Sequence, residues 1–126
     1  MILASVALPL AAQLVTAPPA DRLELAIQLS KRGMHAEALR EYEAIRNAKE
    51  VPHDEVLFRL GDTYRTLNRV DEALACYAEL ISSTPSSRYA DVARLNRAML
   101  RTGEARAGAE GIGPEERTAR HPRNGP

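Results

Sequence analysis

Residues 54–85, DEVLFRLGDTYRTLNRVDEALACYAELISSTP, decide the fold. Leu57, Leu60, Gly61 and Tyr64 recur at the spacing of one helix face, and Ala73, Tyr77 and Leu80 do the same further on. Between the two runs lies Asn68, which accepts left-handed backbone more readily than most residues. Pro85 closes the second run. The stretch therefore predicts two antiparallel helices joined by a tight turn. The first is capped by Asp54 and ends near Leu67; the second runs from about Val70 to Ser83.

The same signals continue outward in both directions. Upstream, Asp21 is a candidate N-cap for a helix ending near Arg32, with Leu25, Ala26 and Leu29 as its stripe and Gly33 as its stop. A second helix is predicted from His35 to about Ala48, carrying Ala38, Tyr42 and Ile45, before Pro52. Downstream, Ser86 and Ser87 can cap a fifth helix from about Arg88 to Arg101, with Val92, Leu95 and Met99 on its buried face and Gly103 as its end. The sum is an all-α chain of five helices.

The pattern repeats. A shift of 35 residues sets Glu37-Ala38-Leu39 on Glu72-Ala73-Leu74, Tyr42 on Tyr77, Leu25 on Leu60 and Gly33 on Asn68. A further shift sets Leu60 on Leu95 and Asn68 on Gly103. A period of this length marks an α-solenoid, in which each helical pair buries its apolar face against the next.

The middle unit resembles a tetratricopeptide repeat, whose pattern is W-x₂-L-G-x₂-Y…A-x₃-F…P. Leu57 stands in the Trp position, while Leu60, Gly61, Tyr64, Ala73, Tyr77 and Pro85 follow the pattern. Gly61 and Ala73 are small where paired helices approach closely. The resemblance covers about residues 21–103 as two and a half units, with Arg22 in the first copy and Asn96 in the last departing from the landmarks. The stretch PSSRYADVA, residues 85–93, is similar to a variant found in bacterial cell-envelope repeat proteins.

Composition narrows the function. Lys plus Arg and Asp plus Glu are both 17, so the formal net charge is zero, which argues against nucleic acid or a membrane surface held by bulk charge. Aromatic content is 4% with no Trp, which disfavours base-stacking platforms. The one cysteine, Cys76, admits neither an intramolecular disulfide nor a Cys-based zinc site and reads as a small buried hydrophobe. His35, His53 and His121 lie in or near loops without ligand spacing, and no phosphate loop or nucleophile elbow occurs. The expectation is no enzyme, no cofactor, no metal, no small-molecule substrate and no integral membrane span.

What remains is a protein or peptide partner. The resemblance implies that the first helix of each pair lines a concave groove. By register that groove carries Leu23 and Ile27 on the first helix and Phe58, Asp62 and Arg65 on the third. Arg94, Arg97 and Arg101 share a face of the fifth, where they either hold carboxylates or keep the last helix solvated. Phe58 is either a partner anchor or packing between repeats. The competing reading is structural: a homo-oligomer formed through the open end of the array.

The N-terminal run MILASVALPLAAQLV, residues 1–15, is too short to span a membrane and resembles the hydrophobic part of a signal peptide, though no Lys or Arg precedes it. Ala12 and Ala17 are candidate cleavage points, and residues 16–20, TAPPA, read as a stiff linker. The expected location is periplasmic or secreted, with the cytoplasm as the alternative. After Gly103 the Gly- and Pro-rich sequence is expected to form a disordered tail, residues 104–126, with room for a helical fragment at Glu104 to Ala109.

Overall fold

The computed structural model describes residues 17–110, with side chains described through residue 103. The five helices are α1 (Pro19–Lys31), α2 (His35–Ile45), α3 (His53–Thr66), α4 (Val70–Ser83) and α5 (Ala90–Glu110). Each packs chiefly on its neighbours in sequence, giving antiparallel pairs α1/α2 and α3/α4 with α5 added at the end. The predicted apolar export segment and all of the tail beyond residue 110 lie outside the described residues.

The pairs are joined by one turn used twice. Gly33 has φ 77° and Asn68 has φ 59°. After α1, the amide of Gly33 donates to the Ser30 carbonyl at 3.0 Å and that of Met34 to Leu29 at 2.9 Å. After α3, Asn68 donates to Arg65 at 3.0 Å and Arg69 to Tyr64 at 2.8 Å. These are the two bonds of a Schellman C-cap. The reversal therefore follows from one residue per turn that tolerates left-handed backbone.

The core is the landmark stripe. Ala26, Ala38, Tyr42, Ile45, Leu57, Leu60, Gly61, Ala73, Tyr77 and Leu80 are all buried. Gly61 has a specific reason to lack a side chain: a Cβ there would lie 2.6 Å from Cε1 of Tyr77. In the first pair Ala26 and Tyr42 occupy the same register. Arg22, which stands where the second pair has Leu57, pairs instead with Glu41 across α1/α2 at 2.8 Å, and both side chains are largely buried.

Several boundaries differ from the sequence reading. Pro18, not Asp21, caps α1, and Pro19 and Ala20 belong to its first turn rather than to a linker, because proline at the first helical position loses no hydrogen bond. Pro52, not Asp54, caps α3. α2 stops at Ile45 rather than Ala48.

The larger corrections concern α5. It begins at Ala90 rather than Arg88 and runs through Gly103 to Glu110. Val92, Leu95 and Met99, expected on its buried face, are 45%, 59% and 62% exposed, whereas their equivalents Leu57, Leu60 and Tyr64 are 0%, 0% and 8% exposed. Among the described residues no second helix follows α5 to cover that face, as α4 covers α3. What α5 turns towards the array is Ala90 and Ala93, both buried, with Leu100 partly buried beside them.

Candidate functional site

Two depressions lie on the side formed by the first helices of the pairs. One is lined by Ser30 of α1, His35 and Tyr42 of α2, and Phe58, Arg59, Asp62, Thr63 and Thr66 of α3. The other is lined by Arg94, Arg97, Ala98 and Arg101 of α5. The 35-residue shift sets Arg59 on Arg94, Asp62 on Arg97, Thr63 on Ala98 and Thr66 on Arg101. They are the same strip of two successive repeats. Between them the chemistry changes sign, from an acid at Asp62 to a row of three guanidinium groups.

The predicted groove residues divide into three groups. Phe58 is half-buried: its ring stacks on Tyr89 at 5.0 Å between centroids and lies 6.4 Å from Tyr77, so it packs between repeats as well as lining the first depression. Asp62 is a hub. Its Oδ1 accepts from the Tyr77 hydroxyl at 2.7 Å, from Arg65 Nη2 at 3.1 Å and from Asn96 Nδ2 at 3.4 Å, tying α3 to α4 and α5. Arg65 is exposed, its guanidinium turned back onto Asp62, and lines neither depression. Leu23 and Ile27 are half-buried on α1, Leu23 against the core, and neither lines the depressions.

Arg94, Arg97 and Arg101 do come together as predicted. Arg94 is held by Asp91 one turn away at 2.8 Å and also reaches the carbonyl of Pro85. Among the described side chains, no carboxylate lies within ion-pair distance of Arg97 or Arg101. Sequence reasoning missed Arg59 and Thr66. Thr66 stands one turn beyond Asp62 on the same face, so the spacing that selected Asp62 could have found it. Ser30, the register equivalent of Arg65, lies 3.4 Å from the Tyr42 hydroxyl in that depression.

Burial sets the electrostatics. Burial, reinforced by Asp62, pushes the Tyr77 phenol well above its ordinary range, so it stays a neutral donor. Burial and the Glu43 carboxylate, which accepts from its hydroxyl, push Tyr64 up to about 12. Burial pushes the Cys76 thiol up to about 11, opposite to what a reactive thiolate needs. His53 Nδ1 lies 3.3 Å from the carbonyl of Arg46, which also pairs with Glu79. No cluster of metal-ligating side chains occurs among the described residues.

Antiparallel helical pairs repeated in register, with no strand among the described residues, define an all-α tetratricopeptide-like helical repeat. Residues 54–87 match the family model described as tetratricopeptide repeat. That match spans α3, α4 and the turn after them, the unit that carries all the landmarks. No characterised protein and no solved structure matches the chain. Repeats of this kind generally mediate protein–protein interaction. No described helix is long and apolar enough to cross a membrane.

Proposed function

We propose that the chain is a protein-interaction module without catalysis, whose α1/α3/α5 side holds an acidic segment of a partner protein. One observation carries this reading. The Arg94–Arg97–Arg101 depression continues the register of the Phe58–Asp62 depression, and Arg97 and Arg101 have no carboxylate partner among the described side chains. Guanidinium forks on one face offer paired donors to side-chain carboxylates or to a free C-terminus. Ser30 offers a hydroxyl further along the path, while those of Thr63 and Thr66 already donate to the carbonyls of Arg59 and Asp62.

The test is a cross-linking pull-down with the full chain and with Arg97→Glu/Arg101→Glu, followed by titration of acidic peptides taken from the recovered partner. Reversing two charges lowers affinity by at least about tenfold and weakens the dependence of binding on salt. Equal recovery and equal affinity for the double variant would reject the reading. We further propose that the module works in the bacterial cell envelope, supported by the apolar residues 1–15 and by the similarity of residues 85–93 to envelope repeats. An intact Met1 on protein recovered from fractionated cells would count against export.

A further inference from the structure

The far side of α5 offers a second surface. Three of the four large exposed hydrophobics among the described residues, Val92, Leu95 and Met99, stand there at i, i+3 and i+7. That spacing is the a–d–a seam of a coiled coil; Thr102 follows, and Arg106 stands at the next position, so the apolar run ends at Met99. Within an intact pair the equivalent positions are sealed by the second helix, as Leu57, Leu60 and Tyr64 are by α4. Leu74 of α4 extends the open end: it is half-buried, whereas its equivalent in the preceding repeat, Leu39, is buried.

We infer that this seam docks on the same seam of a second copy, α5 antiparallel to α5, to give a two-fold dimer. Three observations favour a copy of this chain as the occupant. The residues flanking the seam are Asp91 and Ala98 on one side and Asn96 and Gly103 on the other, so self-pairing brings no row of like charges together. The Arg94–Arg97–Arg101 row faces nearly the opposite way on the helix and stays clear of the contact. The chain has zero formal net charge, so two copies do not repel in bulk.

Register argues against the chain's own following residues as the occupant. The position that Gly61 keeps bare for Tyr77 is filled in α5 by Asn96, whose amide is turned onto Asp62 and the Tyr77 hydroxyl. A second helix therefore cannot approach α5 as closely as α4 approaches α3. Coiled-coil spacing over the Val92–Leu95–Met99 seam has no such requirement. With the two-fold axis crossing the seam at the level of residue 97, Leu95 packs on Met99 of the other copy twice, and Val92 faces Thr102 twice. The seam is short, so the dimer is of the weak, concentration-dependent kind.

The experiment is sedimentation velocity of the full chain over a wide concentration range, beside Leu95→Glu and Ala98→Cys. The wild type sediments as a monomer–dimer mixture. Leu95→Glu is monomeric throughout, with unchanged helicity because the site is exposed. Ala98→Cys forms an interchain disulfide on mild oxidation, and Cys76 stays reduced. A wild type that is monomeric at every concentration overturns the inference. So does a dimer that Leu95→Glu leaves intact, or hydroxyl-radical protection of Leu95 and Met99 in the monomer, which would show that the chain covers its own seam. Ala98 also borders the arginine depression, but these readouts follow association of the chain with itself and not binding of an acidic segment, so this inference, which does not rest on the groove proposal, fails separately from it.

Discussion

Gly61→Ala tests the packing of the central repeat at its tightest point. The added Cβ would meet Tyr77 at 2.6 Å from Cε1, 2.9 Å from Cδ1 and 3.0 Å from Cζ. The ring cannot swing aside freely, since Tyr77 is fully buried and its hydroxyl is held by Asp62 at 2.7 Å. Overpacking costs roughly 1–3 kcal/mol, and a contact this short sits at the top of that range. Moving the ring also strains a hydrogen bond to a carboxylate, worth about 1.5 kcal/mol or more. Replacing a helical glycine by alanine returns about 1 kcal/mol. The net loss is about 3 kcal/mol, or a fall in Tm of roughly 12–24 °C for a domain of this size. Urea unfolding followed by far-UV circular dichroism measures it. Gly103→Ala is the internal control, because that glycine is helical and a Cβ there meets nothing within 4 Å; it should stabilise α5 by up to about 1 kcal/mol. In a Tyr77→Leu background the Gly61→Ala cost should shrink, since the two sites share one contact. Equal effects of Gly61→Ala and Gly103→Ala, or a Gly61 cost that survives intact without the tyrosine ring, would refute the reasoning.

Two other outcomes follow from the same contacts. Tyr64 is raised to about 12 by burial and by Glu43, so its neutral form contributes stability that is complete below its ordinary value near 10 and is lost as pH rises through about 12. Phenolate absorbance should show at least two of the four tyrosines, Tyr64 and Tyr77, titrating late, and Glu43→Gln should bring the Tyr64 midpoint down and leave that of Tyr77; four tyrosines ionising together near 10 in the folded chain would contradict this. Phe58→Ala removes a half-buried ring stacked on Tyr89, so it should cost about 2 kcal/mol in urea unfolding, less than a fully buried phenylalanine. A loss below about 0.5 kcal/mol, the scale of an ordinary surface change, would mean that Phe58 faces a partner and not its own fold.

The parts of the fold legible in the sequence were those written as local pattern. α4 runs from Val70 to Ser83, where periodicity placed it, and the left-handed turns fall on Gly33 and Asn68. The misread parts depend on what is absent or distant. Spacing tells which of Val92, Leu95 and Met99 share a face, but burial needs a helix to cover that face. Glycine ends a helix when the next residues fold back, as Met34 does onto the carbonyl of Leu29; α5 simply continues through Gly103. Asp62 read as a free groove residue because two of its partners, Tyr77 and Asn96, lie on other helices. The arginine row was legible because it lies on a single helix. Its continuity with the Phe58–Asp62 depression needed the repeat register together with the packing of α5.

The departures from the repeat pattern also have a direction. At the position of Leu57 the successive copies carry Arg22, Leu57 and Val92; at that of Gly61 they carry Ala26, Gly61 and Asn96. In the first pair the change is answered inside the fold, by the Arg22–Glu41 ion pair and by an alanine still small enough for close packing. In α5 it is not: Val92 stays exposed and Asn96 turns inward to lock the helix onto Asp62. Apart from Ala20 at its start, the exposed residues of α1 are the polar Asp21, Glu24, Gln28 and Lys31, whereas α5 exposes the large hydrophobics Val92, Leu95 and Met99. The described surfaces of the two helices are therefore not complementary. Head-to-tail stacking of α1 on α5 would bury those charges against an apolar seam, at a desolvation cost with no partner to offset it. A two-fold contact sets the apolar seam against itself and closes after two copies. It would also leave both arginine rows open, so the proposed dimer contact and the proposed hold on an acidic segment do not compete.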